Sequence, residues 1–198
     1  MKPGNSEQTP ADVRNPQPVN IVQLSPDQWT ILRDMKLRSL EQEPIAFEDP
    51  VEARKKYLTR PEAVWREILS GKIHGGRKGA SIYVFAQDPS APEKYAGMVS
   101  AIIPETRQAR KLATVQSMYV DAEGYRGQGI GKKLLADLLE KLKARGDVGK
   151  VELQVVVTQG PAIALYKSLG FEITQTLYKA AKRGDEEYDE YQMEKELE

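Results

Sequence analysis

The chain has 198 residues, which is enough for one folded domain with a full hydrophobic core. Its 29 basic and 29 acidic side chains cancel, which argues against bulk attraction to nucleic acid or to an anionic membrane. The absence of cysteine and the single histidine, His74, exclude disulfides, a cysteine nucleophile and thiolate or histidine-rich metal sites. We therefore expect a protein without a bound metal.

The first 18 residues differ in composition from the rest. They hold four of the twelve prolines and few apolar side chains, which predicts a flexible or extended leader before one domain over residues 19–198. No apolar run approaches the roughly 20 residues that a membrane helix needs, and the N-terminus lacks the apolar segment of a signal peptide. We expect a cytoplasmic protein, monomeric or homodimeric, that does not bind a membrane.

The first half of the domain alternates short strands and helices. Residues 19–24 are predicted to form a strand, and Ser25 followed by proline begins a helix with apolar residues at helical spacing. Pro44 and Pro50 indicate a loop after that helix, and Pro61 begins a second helix. A glycine-rich basic loop around His74 follows. Residues 81–86 and 95–103 then read as adjacent strands.

The second half has the stronger periodicity. Residues 112–120 form a strand, residues 130–144 carry a leucine stripe typical of an amphipathic helix, and residues 151–157 alternate as the next strand. Because a helix joins these two strands, they should be parallel. A short helix from Pro161 and an antiparallel hairpin of residues 171–177 and 188–197 complete a mixed α/β sheet with helices on both faces.

The most informative segment lies where the strand 112–120 gives way to the leucine-striped helix. It reads Arg-Gly-Gln-Gly-Ile-Gly-Lys from Arg126 to Lys132. Glycines at a helix N-terminus let a phosphate approach free backbone N–H groups. The spacing excludes a Walker loop, because Lys133 stands where Ser or Thr is required. It also fits a dinucleotide fingerprint poorly, since the third glycine comes one residue early.

The pattern Arg-Gly-x-Gly-x-Gly resembles the coenzyme A pyrophosphate loop of the GNAT superfamily of N-acetyltransferases. The later run from Ala162 to Phe171 is similar to the helix and Gly-Phe exit that follow in that family. The resemblance implies the GNAT fold, in which two parallel strands splay apart and the pantetheine arm lies between them. It also implies that acetyl-CoA contacts the following residues: Met118, Tyr119, Val120, Arg126, Gly127, Gln128, Gly129, Ile130, Gly131, Lys132 and Gln159.

The resemblance also suggests a catalytic group. Tyr166 occupies the place of a tyrosine that, in the family, often lies near the thioester sulfur and can protonate the leaving thiolate. The alternative is that Tyr166 is a half-buried packing residue with a purely structural role. The general base is unassigned, because the central strand carries Gln116 and Ser117 where several relatives have glutamate. Glu105, Asp121 and Glu123 are the weaker candidates.

Two acidic clusters, at residues 41–52 and 185–190, lie where the family places the acceptor cleft, although solvated surface is the simpler explanation. The resemblance implies a primary-amine acceptor, small molecule or peptide; the clusters suggest that it is cationic, and His74 is a minor candidate contact. The expected function is acetyl transfer from acetyl-CoA to an amine by direct attack in a ternary complex. The alternatives are a non-catalytic acyl-CoA-binding module and a nucleotide-binding protein.

Overall fold

The computed structural model describes residues 18–46, 48–73, 77–105 and 111–197. Most of the predicted leader and His74 lie outside these ranges. The strands are β1 (Asn20–Val22), β2 (Gly79–Gln87), β3 (Tyr95–Pro104), β4 (Lys111–Val120), β5 (Val148–Val156), β6 (Glu172–Arg183) and β7 (Glu186–Glu196). The helices are α1 (Trp29–Gln42), α2 (Pro50–Thr59), α3 (Glu62–Leu69), α4 (Ile130–Ala144) and α5 (Gly160–Ser168).

The seven strands form one sheet in the order β1-β2-β3-β4-β5-β7-β6. Strands β4 and β5 are parallel, as the helix between them predicts, and the other neighbours are antiparallel. The predicted mixed α/β fold is confirmed. The pairing of β4 with β5 ends at Thr114 and Glu152, and beyond these residues the two strands diverge. The middle of the sheet therefore opens into a cleft.

Helices cover the two faces of the sheet unequally. The leucines of α4, including Leu134, Leu138 and Leu142, are fully buried against one face. On the other face, Leu32 and Met35 of α1 and Trp65 of α3 pack in a second apolar cluster against β2, β3 and β4. Burial of each such side chain contributes roughly 1.5–3 kcal/mol, so these two clusters fix the sheet around the cleft.

Two elements differ from the predictions. The loop predicted around Pro50 is wrong, because Pro50 is the first residue of α2 and Asp49 caps it by accepting hydrogen bonds from Val51 N at 3.0 Å and Glu52 N at 3.1 Å. A proline is compatible with the first turn of a helix, where its missing N–H costs nothing. The hairpin β6–β7 is longer than predicted, because its added residues, 178–183 and 186–187, show no alternation of apolar and polar side chains.

Strand β4 is irregular opposite β3. The register passes from Ser100 paired with Gln116 to Met98 paired with Tyr119, so one extra residue lies on β4. Ser117, within this bulge, has a φ of 57°. A β-bulge bends its strand and strengthens the local twist. The bend occurs just beyond the point where β4 separates from β5.

Candidate active site

The cleft between the diverging ends of β4 and β5 has a volume of about 940 Å³. Its walls come from β4, β5, α5, the turn before α4, the hairpin β6–β7 and the segment that follows α1. Ten of the twelve predicted site residues line it: Met118, Tyr119, Val120, Arg126, Gly127, Gly129, Ile130, Gly131, Gln159 and Tyr166. Gln128, in the glycine turn of residues 126–129, and Lys132, in the first turn of α4, do not line it.

The glycine turn leaves room for a ligand. Gly127 and Gly129 have φ values of 76° and 74°, and a Cβ built on either would meet no atom within 4 Å. Gly129 is the N-cap of α4, and Lys133 N is the first amide to bond back, to Gly129 O at 3.1 Å. The amides of residues 130–132 therefore have no acceptor within the helix, where the helix dipole favours an anion.

Arg126 is held beside this turn by two contacts. Its guanidinium donates from Nε to Val120 O at 3.0 Å and forms an ion pair with Glu43 at 2.5 Å. Glu43 follows directly after α1, so this ion pair connects α1 with the turn. The side chain of Gln128 donates to Gly124 O and so closes the turn from within.

The strand end before the glycine turn is anchored from α1. Gln42 accepts hydrogen bonds from Tyr119 Oη at 2.9 Å and Ala122 N at 2.8 Å, and donates to Asp121 at 3.0 Å. Arg38 donates to the same Asp121 carboxylate at 2.6 Å. Asp121 is therefore a buried structural carboxylate outside the cleft. Glu105 and Glu123 do not line the cleft either, so none of the three candidate bases is placed there.

Tyr166 projects from α5 into the cleft lining and is only 6% exposed. Burial raises its pKa, so the phenol keeps its proton at physiological pH. Its ring packs edge-on against Phe171, with 6.1 Å between the ring centroids. Gln159 is the N-cap residue of α5 and lies in the same wall. The position of Tyr166 is compatible with both a proton donor and a packing residue.

Four carboxylates line the cleft, and three of them have partners. Glu43 pairs with Arg126, Glu48 accepts from Tyr57 Oη at 2.7 Å, and Glu152 accepts from Thr114 Oγ1 at 2.9 Å. The side-chain carboxylate of Glu190 in β7 has no hydrogen bond or ion pair among the described residues, and burial raises its pKa. Sequence reasoning missed Glu190 as a separate candidate, because only the pairing of β7 with β5 distinguishes it from its acidic neighbours.

The two acidic clusters meet at the rim of the cleft. Asp49, before α2, accepts a hydrogen bond from Gly184 N in the turn between β6 and β7 at 2.8 Å. Most of their other carboxylates are engaged: Glu41 pairs with Arg54, Glu48 with Lys56 and Glu187 with Lys179. The clusters are therefore a poor indicator of a strongly negative acceptor site.

The described residues were compared with the requirements of a metal site and of a membrane-spanning helix. In residues 18–46, 48–73, 77–105 and 111–197, no group of three or more histidine or acidic side chains is placed to hold a metal ion. Within the same ranges, no helix is long and apolar enough to cross a membrane.

Comparison with known families decides the identity of this fold. The model of the acetyltransferase (GNAT) family matches residues 39–171, which include β4, the glycine turn and α5. The chain belongs to the GNAT family.

Characterised GNAT relatives match only part of their length. The chain is 36% identical over 69 residues to the L-amino acid N-acetyltransferase AaaT of Escherichia coli strain K12, which is 35% of this chain and 43% of that protein. It is 44% identical over 59 residues to the ribosomal protein bS18-alanine N-acetyltransferase of the same organism, 30% of this chain and 38% of that protein. The chain thus aligns with less than half the length of each.

The fold extends over nearly the whole chain. The structure of Arabidopsis thaliana NAA60 in complex with acetyl-CoA superposes with a TM-score of 0.68 at 19% identity, covering 91% of this chain and 99% of that one. At this identity the comparison establishes the GNAT fold alone.

Proposed function

We propose that this GNAT protein is an N-acetyltransferase that moves an acetyl group from acetyl-CoA to a primary amine within a ternary complex. The observation that carries the proposal is the cleft between β4 and β5, which joins the glycine turn at one end to the open face of β5 and β7 at the other. Donor and acceptor can then approach each other from opposite sides. Holding them in line supplies effective molarities of about 10⁵–10⁸ M.

The donor side fits coenzyme A. The open space above Gly127 and Gly129 and the amides of residues 130–132 suit a pyrophosphate. Beyond Thr114 the edge of β4 faces the cleft without a partner strand in the described chain. The backbone groups of residues 118–120 that do not bond to β3 or to Arg126 would be available to the pantetheine arm and the acetyl carbonyl. Arg126, Gln128 and Lys132 would border the phosphates, and Gln159 the arm.

Two side chains are assigned to proton transfer. Tyr166 stays protonated and would donate to the leaving thiolate of coenzyme A. Glu190 would take the proton that the amine loses, since it is the cleft carboxylate with no partner among the described residues. The raised pKa of Glu190 brings this carboxylate closer to the range of an effective base at neutral pH.

The alternative is an acyl-CoA-binding protein without turnover. The side chains Gln116 and Ser117 on the central strand support it, because neither is a base. Membership of the GNAT family and the failed Walker and dinucleotide spacings argue against a nucleotide-binding protein. We further propose that the protein acts in the cytoplasm as a monomer or homodimer and that its acceptor is a small molecule or a peptide.

One experiment separates these functions. The melting temperature is measured with coenzyme A, ATP and NAD, and the release of free thiol from acetyl-CoA is followed with a panel of primary amines. Stabilisation by coenzyme A together with amine-dependent thiol release is expected. Stabilisation without thiol release for any amine would favour the binding module, and stabilisation by ATP or NAD alone would refute the assignment of the glycine turn.

A further inference from the structure

The charges that line the cleft are balanced in number but not in pairing. Four acidic and four basic side chains contribute to its walls: Glu43, Glu48, Glu152, Glu190, Lys36, Arg126, Lys182 and Arg183. Two of the carboxylates, Glu43 and Glu48, form ion pairs, whereas Glu152 accepts hydrogen bonds only from neutral groups. Of the four cations, only Arg126 forms an ion pair with another described residue, and Lys36 donates to Ser117 Oγ. By the same criterion, three cations and two carboxylates of the cleft have no ion pair among the described residues.

Arg183 is the cleft cation with a buried donor that lacks an acceptor among the described residues. It is the last residue of β6, its Nη1 donates to Lys182 O at 2.9 Å, and its Nε is shielded from solvent without an acceptor among the described residues. A buried donor without an acceptor costs free energy, so a small shift of the Arg183 side chain that turns Nε toward an acceptor in the cleft would be favourable. Arginine also matches a carboxylate with two parallel hydrogen bonds.

Arg183 and Glu190 belong to the same face of the hairpin. Arg183 pairs across the strands with Glu186, and Glu186 and Glu190 lie four residues apart on β7, so their side chains point to one side. Arg183 and Glu190 interact electrostatically but form no ion pair. Asp49 also interacts with Arg183 but is committed to the amides of Val51, Glu52 and Gly184. Glu186, directly opposite Arg183, accepts a hydrogen bond from Tyr188 Oη. A separated positive and negative group remain beside the cleft.

We infer that the acceptor is an amine that also carries a carboxylate, of amino-acid type, whose carboxylate binds Arg183 while its amine faces Glu190. This inference rests on the proposed function and specifies its acceptor. It narrows the expected cationic acceptor to a zwitterionic one. The hydrogen bond between Asp49 and Gly184 closes the rim on this side, which favours a small acceptor over an extended chain.

The test compares acceptors that differ only in the carboxylate. Tyrosine is paired with tyramine and arginine with agmatine, and kcat/KM is measured for the wild type, Arg183→Gln and Arg183→Lys. Arg145→Gln, at the C-terminal end of α4 and outside the cleft lining, is the control for the loss of one arginine. In the wild type the amino acid should exceed its amine by about 10- to 100-fold, the usual range for one charge-assisted pair.

In Arg183→Gln the preference should fall to near one while coenzyme A affinity is unchanged, and Arg183→Lys should restore part of it. A wild type that prefers tyramine and agmatine, or an Arg183→Gln variant that keeps the wild-type preference, would overturn the inference. Weaker coenzyme A binding in Arg183→Gln would assign this cation to the donor and would also overturn it.

A second measurement needs no turnover. Binding of N-acetyltyrosine and N-acetyltyramine to the protein with coenzyme A is measured by calorimetry. If no amine is acetylated but N-acetyltyrosine binds at least about tenfold more tightly, and Arg183→Gln removes the difference, the inference holds and the proposed catalysis fails. If N-acetyltyrosine binds no better than N-acetyltyramine, the inference fails whatever the activity.

Discussion

Replacement of Gly129 by aspartate should weaken coenzyme A binding about 100-fold without unfolding the protein. Gly129 has a φ of 74°, which costs a residue with a Cβ about 1 kcal/mol, less for Asp and Asn. A carboxylate at the N-terminus of α4 returns about 0.3–1 kcal/mol through the helix dipole. No atom lies within 4 Å of the added Cβ, so no steric cost is expected. The melting temperature without ligand should therefore change by only a few degrees.

The ligand-induced stabilisation should respond much more strongly. At 100 times its Kd a ligand adds about 2.7 kcal/mol, which is about 5–11 °C for a domain of this size. A carboxylate about 4 Å from a phosphate costs about 1 kcal/mol in water and about 4 kcal/mol at an intermediate dielectric constant. A 100-fold loss of affinity would leave about 0.4 kcal/mol of stabilisation, or roughly 1 °C.

Two variants isolate the cause. Gly129→Asn occupies the same space without the charge and should lose about tenfold in affinity, between the wild type and Gly129→Asp. Gly146→Asp, at the other end of α4, has a φ of 72° and equally open surroundings, so it reproduces the backbone strain away from the cleft. It should keep the full shift with coenzyme A. A Gly129→Asp protein with the wild-type shift would refute the placement of the pyrophosphate.

Three further predictions concern single side chains. Tyr166→Phe should lower the single-turnover rate by about 10², the lower end of general acid catalysis, at unchanged acetyl-CoA affinity; an unaltered rate would leave Tyr166 a packing residue. Burial raises the folded-state pKa of Glu190, so the ionised carboxylate destabilises the folded protein at pH values above its unfolded pKa. Glu190→Gln should therefore raise the melting temperature at pH 7 but not at pH 4. It should also remove the fall of kcat/KM at acidic pH that protonation of Glu190 would cause. Burial alone would raise the pKa of Asp121, but hydrogen bonds from Gln42, the Glu123 amide and Arg38 outweigh it and lower the pKa; Asp121→Asn should therefore cost a few degrees at pH 7, and the difference should vanish as acid protonates the wild-type carboxylate.

How far the sequence predicts the structure depends on how local the signal is. The helix α4 was predictable, because its leucine stripe and the glycine before it are both read within one segment. Helix α2 was missed because Pro50 was interpreted as a helix breaker, although the preceding Asp49 is a typical N-cap. An N-cap residue followed directly by proline indicates the start of a helix more strongly than proline alone indicates a loop.

The donor side of the cleft is encoded by local motifs, whereas the acceptor side depends on contacts between distant residues. The glycine turn, Tyr166 and Gln159 lie in continuous motifs, so their presence in one cavity follows from the family pattern. Arg183 and Glu190 come together only through the register of β6 on β7, which is interrupted between Leu177 and Ala181. Pairing across such an irregularity depends on the whole hairpin, and one chain alone does not reveal it.

The bulge at Ser117 has a consequence for the speed of binding. It bends β4 within the covalent chain, next to the residues where β4 leaves β5, so the gap between the strands is created when the sheet folds. The ligand does not have to break ladder hydrogen bonds to enter. The free-energy cost of leaving this strand edge unpaired is part of the folding free energy and does not reduce the binding free energy. Association of coenzyme A should consequently show a single concentration-dependent phase without a slow limiting step.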